Sequence, residues 1–276
     1  MTTPHTPSQI LAFIGGGNMA SAIIGGLIQQ GTPASQILVI EPQESARQQL
    51  MDKFQIRALP QASEALSQAG LLIWAVKPQV FKEAAQLAKP FCTAALHLSV
   101  AAGIRSDSIA AWLGTQRVVR AMPNTPALVG LGQTGLFARP EVSASDQAWI
   151  ERVVSTTGQY LWVKDEALLD AVTAISGSGP AYVFFFIEAM AQAGVNMGLT
   201  PEQAHQLAVG TFVGASELAR SASESPTVLR ERVTSKGGTT YAAITAMEAS
   251  RVNALFQDAL EAARARAQEL GNTFGT

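Results

Sequence analysis

The fold of this chain is decided by the stretch Ile10-Leu11-Ala12-Phe13-Ile14-Gly15-Gly16-Gly17-Asn18-Met19-Ala20. An apolar run of strand length leads directly into three glycines, and an apolar-periodic segment of helix length follows. The glycines fit the pattern G-x-G-x-x-A, in which Gly15 makes the tight turn, Gly17 lets a pyrophosphate approach the backbone and Ala20 keeps the helix close to the sheet. The helix N-terminus adds amide donors and the positive end of a dipole. The stretch therefore predicts a dinucleotide-binding loop. Its expected cofactor contacts are Gly15, Gly16, Gly17, Asn18 and Met19.

Up to residue 164, apolar runs of strand length alternate with amphipathic segments of helix length. After Ile10–Ile14, the predicted strands are Ile37–Ile40, Leu71–Val76, Ala95–Val100 and Val118–Ala121. The predicted helices are Asn18–Gln30, Gln43–Phe54, Ala62–Gln68, Gln79–Ala88 and Asp107–Leu113. This alternation indicates right-handed crossovers and a parallel sheet, and the lack of polar alternation in the strands indicates that both sheet faces are covered. Residues 10–164 are therefore predicted to form a Rossmann-type, doubly wound α/β domain that binds NAD(P).

The sequence changes character after Lys164, where long segments rich in Ala, Leu, Glu and Gln replace the strand-like runs. The predicted helices are Ala181–Met197, Pro201–Arg220, Thr239–Ala249 and Ala254–Leu270. Residues 165–276 are predicted to form an all-helical domain for substrate binding and dimerisation, and residues 1–9 a short disordered tail. Because these helices carry few charges, we expect either that they pack against more than their own domain or that they form a self-contained bundle with an apolar core.

Composition excludes several classes of function. The chain has 276 residues, of which 47% are hydrophobic and 14% are charged, and its formal net charge is −2. Ordinary soluble domains carry about 25% charged residues, so this sequence is poor in charge and intrinsic disorder is excluded. Its acids and bases are interspersed, so no basic stripe could neutralise a run of phosphates. We therefore expect no nucleic-acid partner.

Cysteine and histidine usage argues against disulfides and metal sites. The single cysteine, Cys92, cannot form an intramolecular disulfide and indicates a reducing compartment. Three scattered histidines do not provide a zinc site, and His97, within an apolar run, is expected in the core. The longest strongly apolar stretch, Ala181–Ile187, is shorter than the roughly 20 residues of a membrane-spanning helix. We therefore expect a cytoplasmic protein with no metal and no membrane partner.

The residues after the second predicted strand bear on which cofactor binds. Glu41 follows Gly17 by 24 residues, where an acid would accept a hydrogen bond from the 2′-hydroxyl of NAD and repel the 2′-phosphate of NADP. Pro42 follows and can turn the carboxylate away, and Arg47 is near enough in sequence to pair with a phosphate. Glu41 and Arg47 are both candidate cofactor contacts, and the sequence leaves NADH and NADPH open.

Two further loops lie at the carboxyl ends of predicted strands, where open α/β sheets bind ligands. One follows Leu71–Val76 and contains Pro78, which stops the strand where the cofactor is expected to pass. The other follows Ala95–Val100 and consists of small residues that leave room for a flat ring. The candidate cofactor contacts in these loops are Ala75, Val76, Lys77, Pro78, Ala101, Ala102 and Gly103.

Two small, hydroxyl-rich loops of the helical half open onto helix N-termini. They are Ser176-Gly177-Ser178-Gly179-Pro180 and Val233-Thr234-Ser235-Lys236-Gly237-Gly238-Thr239-Thr240. A helix N-terminus binds carboxylates through backbone N–H groups, and one Ser or Thr would suffice for capping alone. The surplus of glycines and hydroxyl groups favours substrate binding at both loops.

Several sequence blocks together resemble one known family. They are Phe13 to Met19, Val76 to Gln79, Arg120-Ala121-Met122-Pro123-Asn124-Thr125-Pro126, Ala174 to Tyr182, and Val233 to Thr240. In this order, over nearly the whole chain, they resemble pyrroline-5-carboxylate reductase, the last enzyme of proline biosynthesis. One position departs from the family pattern. The last loop usually reads Val-Thr-Ser-Pro-Gly-Gly-Thr-Thr, and Lys236 stands here in place of the proline.

The resemblance implies reduction of L-1-pyrroline-5-carboxylate to L-proline by hydride from NADPH or NADH, with NADPH favoured in the family. It also implies a helical domain that forms a homodimer by interleaving, and often a decamer of five dimers. The implied substrate contacts are Ser176, Ser178, Ser235, Gly237, Gly238, Thr239 and Thr240, and Asn124 joins the cofactor contacts. Amides of this loop would hold the substrate carboxylate, and Thr240, the catalytic candidate, would hydrogen-bond the ring nitrogen.

Two other functions are compatible with the general layout. A β-hydroxyacid dehydrogenase shares the two-domain plan but uses a lysine on the long helix after the nucleotide domain, and no lysine lies between Lys164 and Lys236. A non-catalytic module that senses NAD(P) would not need the two hydroxyl-rich loops. Thermal stabilisation by proline separates these cases, because a sensor should respond to NAD(P) alone.

Overall fold

The computed structural model describes residues 10–92 and 94–274, so the tail predicted at residues 1–9 lies outside the described residues. An eight-stranded sheet forms the centre of the N-terminal part. Its strands are β1 (Ile10–Ile14), β2 (Ile37–Ile40), β3 (Arg57–Leu59), β4 (Ala69–Trp74), β5 (Leu96–Ser99), β6 (Val118–Met122), β7 (Gly132–Ala138) and β8 (Gly158–Trp162). The spatial order is β3-β2-β1-β4-β5-β6-β7-β8. The first six strands run parallel in the Rossmann order, which confirms the predicted fold class.

The last two strands depart from the purely parallel sheet that the sequence predicts. β7 runs antiparallel to β6, and β8 runs parallel to β7. The connection from β6 to β7 contains only a 3-10 turn at Thr125–Val129. A parallel crossover needs about a dozen residues or more, and this connection is too short for one. The antiparallel strand β7, which the sequence did not predict, is therefore an addition to the predicted parallel sheet.

The helices of the α/β part follow the predicted alternation. They are α1 (Asn18–Gln29), α2 (Glu44–Phe54), α3 (Pro78–Ala88), α4 (Ser106–Leu113), α5 (Ala144–Val154) and α6 (Leu168–Val172). The helix predicted at Ala62–Gln68 is instead a short 3-10 helix at Glu64–Gln68. Neither α5 nor α6 has a counterpart among the predicted helices.

Two hydrophobic clusters cover the two faces of the sheet, because successive residues of a strand point to opposite sides. In β1, Leu11 and Phe13 belong to one cluster, and Ala12 and Ile14 belong to the other. All four side chains are buried. The absence of polar alternation therefore predicted correctly that both faces of β1 are covered.

The helical part agrees closely with its predicted helices. It contains α7 (Gly179–Asn196), α8 (Pro201–Ser221), α9 (Pro226–Arg232), α10 (Thr239–Ala249) and α11 (Val252–Phe274). Thr200 begins α8 with a capping box: its hydroxyl accepts from the Gln203 N–H at 3.3 Å, and the Gln203 side chain accepts from the Thr200 N–H at 3.0 Å. With Pro201 in the first turn, this cap fixes the helix start.

The described chain divides into two compact units. The second unit is Ser178–Ala262, and the first contains the rest of the described chain, including the end of α11. The domain boundary predicted at residues 164 and 165 precedes α6, which packs within the first unit. A Cβ on Gly135 of β7 would lie 2.7 Å from a methyl group of Val172 in α6. The roles assigned to the two predicted domains stay predictions.

One helical stretch of the described chain is long and apolar enough to cross a membrane by length and composition. It runs from Leu168 to Asn196 and joins α6, a π-helical turn at Thr173–Gly177 and α7. Of the most apolar 18 residues in this stretch, only 17% are buried. A core helix of similar composition would be mostly buried. The apolar side chains of α7 therefore need a cover that a single chain does not provide.

The core holds a hydrogen-bonded pair between β5 and β4. His97 is fully buried, as predicted, and its Nδ1 accepts a hydrogen bond of 3.1 Å from Nε1 of Trp74. Burial is the main cause that lowers the pKa of His97 to about 4, and the positive charge of Arg117 lowers it further. The imidazole is therefore neutral at physiological pH and supplies the acceptor that the buried indole N–H requires.

Acid should destabilise this fold partly through His97. The pKa of His97 is about 4 in the folded chain against an ordinary value of 6.5, so the unfolded state takes up the proton first as pH falls. The contribution to stability is complete above pH ~6.5 and is lost toward pH 4, with about 2 kcal/mol lost by pH 5. Urea unfolding at pH 7.5 and pH 5, at matched protein concentration, should show a smaller pH-dependent loss for His97→Gln than for the wild type. His205→Gln, at an exposed histidine, is the control; identical losses in all three proteins would contradict this account.

Candidate active site

The glycine loop lies where the strand order reverses, between β1 and β4. Ligands of open α/β sheets bind at such a point, beyond the carboxyl ends of the strands. The Gly15 N–H donates to the carbonyl of Ile40 in β2 at 2.8 Å, and the Ala75 N–H after β4 donates to the carbonyl of Ile14 at 2.8 Å. These two bonds tie the loop to both neighbouring strands.

Gly15 is required by the close approach of the chain after β4. Its φ is +94°, in the left-handed region that favours glycine. A Cβ at this position would lie 2.6 Å from the carbonyl oxygen of Ala75 and 2.9 Å from Cγ1 of Val76. The structure therefore brings the predicted cofactor contacts Ala75 and Val76 directly beside the glycine loop.

Gly17 leaves open space at the start of α1. No atom lies within 4 Å of the position that a Cβ would take. Gly17 is the N-cap residue of α1, so Asn18 and Met19 lie in the first helical turn, whose N–H groups have no acceptor within the helix. The open space, the free amides and the positive end of the helix dipole together fit a pyrophosphate group.

Glu41 contacts the glycine loop, whereas Arg47 contacts the chain just after β2. One carboxylate oxygen of Glu41 accepts from the Gly16 N–H at 2.9 Å, and the other accepts from the Gln43 N–H at 2.9 Å. Nη1 of Arg47 donates to the carbonyl oxygens of Glu41 at 2.9 Å and of Pro42 at 2.7 Å. The carboxylate thus binds the glycine loop, while the guanidinium binds the carbonyl side of its own turn.

In the other two predicted cofactor loops, some residues are exposed and others are buried. Pro78 occupies the first turn of α3, and Lys77 precedes it as an exposed N-cap residue. After β5, Ala102 is exposed, whereas Ala101 is buried in the core. A Cβ on Gly103 would lie 3.2 Å from a Cβ of α11, and the φ of Gly103 is +73°. Lys77 and Ala102 therefore present surface to a ligand, and Ala101 and Gly103 serve packing.

Asn124 joins the end of β6 to the first hydroxyl-rich loop. Its Nδ2 donates to the carbonyl of Ser176 at 3.0 Å, and its Oδ1 accepts from the Gln133 N–H at 2.9 Å. Ser176 lies in the π-helical turn, and its hydroxyl donates to the carbonyl of Val172 at 3.2 Å. Both polar groups of the Asn124 side chain thus bind backbone groups, and the bond to the Ser176 carbonyl fixes the position of the Ser176 loop.

A buried ion pair, which the sequence did not reveal, anchors the segment before α6. Nη1 of Arg120 in β6 lies 2.6 Å from a carboxylate oxygen of Glu166, and the two side chains are 8% and 18% exposed. Glu166 also accepts from the N–H of Ser106 at 2.6 Å, so it caps α4 from a distant part of the chain. An arginine inside an apolar strand signals that a partner exists, but its spacing to Glu166 follows no local pattern.

The second hydroxyl-rich loop leads into α10. Gly237 has a φ of +76°, and the Gly238 N–H donates to the carbonyl of Ser235 at 2.9 Å. In this conformation Gly238 therefore does not offer its N–H to a substrate. The N–H groups of Thr239 and Thr240, in the first turn of α10, have no acceptor within the helix and are the better carboxylate donors.

The predicted site residues fall into both compact units. All cofactor candidates and Ser176 belong to the first unit, where the candidates after β1, β2 and β4 come together. Ser178 and the residues from Ser235 to Thr240 belong to the second unit. Within the described residues, no group of three or more His, Cys, Asp or Glu could hold a metal ion. Burial raises the pKa of the Cys92 thiol to about 11, so it is not a nucleophile at neutral pH.

Comparisons with known proteins agree with this layout. A family model described as "NADP oxidoreductase coenzyme F420-dependent" matches residues 10–103, and one described as "Pyrroline-5-carboxylate reductase dimerisation" matches residues 166–270. A pyrroline-5-carboxylate reductase from Pseudomonas aeruginosa is 44% identical over 277 residues, which cover all of both chains. The chain belongs to the pyrroline-5-carboxylate reductase family.

Solved structures support the same assignment. A pyrroline-5-carboxylate reductase from Coxiella burnetii superimposes with a TM-score of 0.89 at 36% identity, over 95% of this chain and 98% of that one. The reductase from Plasmodium falciparum, solved with NADP bound, gives a TM-score of 0.83 at 26% identity, over 95% of this chain and 98% of that one. These comparisons favour neither the β-hydroxyacid dehydrogenase nor the sensor.

The dimerisation match explains the apolar surface of the helical unit. Many large apolar side chains there are exposed, and they include Phe184, Phe185, Leu207, Val213, Leu218, Met247 and Leu255. A monomer rarely exposes so many large apolar side chains on one set of helices. The helical part thus matches a family of dimerisation domains, which indicates that the chain forms a homo-oligomer.

Substitutions at two glycines should separate folding from nucleotide binding. Gly15→Ala places a Cβ against the Ala75 carbonyl at positive φ, so it should destabilise the first unit by about 1–3 kcal/mol. Gly17→Ala adds a Cβ into open space, so it should leave stability nearly unchanged and weaken nucleotide binding. Thermal unfolding and titration with NAD⁺ or NADP⁺ test both. Normal nucleotide affinity in Gly17→Ala would show that the pyrophosphate does not lie against this residue.

Loss of the Glu166 carboxylate should leave a buried positive charge without its partner. Glu166→Gln should therefore destabilise the chain by about 3 kcal/mol or more, the usual effect of breaking a buried pair. The control is Glu217→Gln, which breaks an exposed pair with Arg220 and should change stability little. Denaturant unfolding measures both changes. Similar small effects in the two variants would mean that the Arg120–Glu166 pair does not anchor this segment.

Proposed function

We propose that this chain reduces L-1-pyrroline-5-carboxylate to L-proline with NADH or NADPH as the hydride donor. The observation that carries the proposal is the open pyrophosphate cradle at Gly17, in a chain that aligns over its whole length with a named pyrroline-5-carboxylate reductase. The cradle supplies a nicotinamide dinucleotide site. The loop that leads into α10 supplies a site for a small carboxylate.

The reaction suits a site with few strong acids or bases. The cyclic imine carries a proton on its nitrogen, so its C=N carbon is already electrophilic. When bound, the reduced nicotinamide supplies the hydride and is left oxidised. The carbon gains a C–H bond, the π electrons pass to nitrogen, and the product is the secondary amine of proline. The protein therefore needs to position the ring and stabilise its charges.

Positioning is assigned to the N-terminus of α10. The N–H groups of Thr239 and Thr240 donate to the substrate carboxylate, aided by the positive end of the helix dipole. The protonated ring N–H donates to the hydroxyl of Thr240, which sets the ring face that accepts hydride. Ser178, Ser235 and Gly237 line the substrate pocket in this proposal. Ser176 is a further proposed substrate contact, and Asn124 holds its carbonyl.

We propose further that the enzyme works in the cytoplasm and that five dimers assemble into a decamer. The low charged fraction of 14% and the exposed apolar helices support extensive assembly. Light scattering after size-exclusion chromatography gives the mass directly. A mass of ten chains is expected, and a mass of two chains would reduce the assembly to the dimer.

The activity is tested by initial rates of coenzyme oxidation with pyrroline-5-carboxylate, measured with NADPH and NADH side by side. Turnover with either coenzyme, and formation of proline in equal amount, is the expected result. Protein that binds nucleotide but gives no turnover with either coenzyme would overturn the proposed reaction.

The role of Thr240 is tested by Thr240→Ala and the conservative Thr240→Ser. Removal of one hydrogen bond to a charged ring should lower kcat roughly tenfold to hundredfold, with nucleotide affinity unchanged. Thr240→Ser keeps the hydroxyl and should recover most of the rate. Equal rates for Thr240→Ala and the wild type would remove the catalytic role.

A further inference from the structure

The carboxylate of Glu41 is fixed at the edge of the nucleotide site. Its two oxygens accept hydrogen bonds from the N–H groups of Gly16 and Gln43, both at 2.9 Å. The contact with Gly16 is close, because a Cβ at position 16 would lie 3.4 Å from Oε2 of Glu41. The carboxylate therefore lies against the backbone of the loop that holds the pyrophosphate, at the carboxyl end of β2.

The position of Glu41 matches the place where a dinucleotide puts its adenosine ribose. In Rossmann domains an acid at the end of the second strand accepts hydrogen bonds from the ribose hydroxyls. An ionised carboxylate has about four acceptor positions, and two are used by backbone N–H groups. The remaining positions can accept from the 2′-hydroxyl of NADH. A 2′-phosphate offers no comparable donor and brings negative charge beside the carboxylate.

The hydrogen bonds given for Arg47 do not go to the Glu41 carboxylate. Nη1 of Arg47 donates to the carbonyl oxygens of Glu41 and Pro42, at 2.9 and 2.7 Å. The carboxylate instead accepts from the backbone N–H groups of Gly16 and Gln43. From this arrangement we infer that Glu41 makes the chain select NADH over NADPH. The inference rests on the proposed use of a nicotinamide coenzyme.

One relative, from Plasmodium falciparum, was solved with NADP bound. That relative is 26% identical, so its nucleotide does not decide the preference here. Like charges held close together near a protein surface repel each other, and salt screens only part of this repulsion. A tenfold or greater preference for NADH is therefore expected at moderate ionic strength.

Binding without substrate gives the direct test. Isothermal titration of the full-length protein with NAD⁺ and with NADP⁺ should show that NAD⁺ binds at least tenfold tighter. Glu41→Gln removes the charge and keeps an oxygen acceptor, so it should bring the two affinities to within about threefold. Glu41→Asp keeps the charge and should retain a preference for NAD⁺. Glu44→Gln removes a nearby exposed acid and should leave the wild-type ratio unchanged.

Three outcomes would overturn the inference: tighter binding of NADP⁺ by the wild type, an unchanged ratio in Glu41→Gln, or a selective loss of NADP⁺ binding in Arg47→Gln. The last result would mean that Arg47 binds the 2′-phosphate of NADP⁺. The ratio of kcat/KM for NADH and NADPH should follow the binding ratio in each variant. Because the titrations contain no substrate, a failed reductase assay would leave the coenzyme preference measurable, and the two failures stay distinct.

Discussion

The close approach between the end of β1 and the chain after β4 is the constraint on which the nucleotide half depends. Gly15 can adopt its φ of +94° and lie beside the Ala75 carbonyl only because it lacks a Cβ. That approach lets the chain turn directly from β1, which lies between β2 and β4, into α1. The helix N-terminus then faces the gap where the strand order reverses, and Gly17 leaves the gap open. The carboxylate of Glu41 reaches the loop only because Gly16 lies so close to the end of β2.

A second set of polar contacts ties the segment after the sheet to the sheet itself. Glu166 binds Arg120 and caps α4, and Asn124 holds the Ser176 carbonyl two residues before the second unit begins. Between these anchors the chain makes a π-helical turn, a feature found often at functional sites. The start of the first hydroxyl-rich loop is thus held by residues of the first unit.

The sequence predicts those parts of the fold that rest on local patterns. β1 and β2 are predicted to the residue, and α10 is as well, because unbroken apolar runs and marked helix starts specify them. β7 and β8 were not predicted. β7 contains two glycines and a glutamine, and three successive residues of β8 are exposed, so neither shows a buried apolar run. Their pairing depends on neighbouring strands, and that information is not local.

In the candidate site, too, local motifs could be predicted from the sequence and long-range contacts could not. The glycine loop and both hydroxyl-rich loops carry motifs, so their residues could be named in advance. The direction of the Glu41 carboxylate could not, because Pro42 allows either orientation and only the contact with the Gly16 N–H selects one. Two other contacts could not be predicted from the sequence. The Gly238 N–H binds within its own loop because of the way that loop turns, and Glu166 pairs with Arg120 because the fold brings two distant segments together.

The most direct measurement is a crystal structure of the homo-oligomer with proline and an oxidised nicotinamide dinucleotide bound together. The pyrophosphate is expected to lie against Gly17 and the N-terminus of α1. The proline carboxylate is expected within about 3 Å of the Thr239 and Thr240 N–H groups, and the ring nitrogen within hydrogen-bond distance of the Thr240 hydroxyl. A proline carboxylate bound away from the N-terminus of α10 would contradict the central claim.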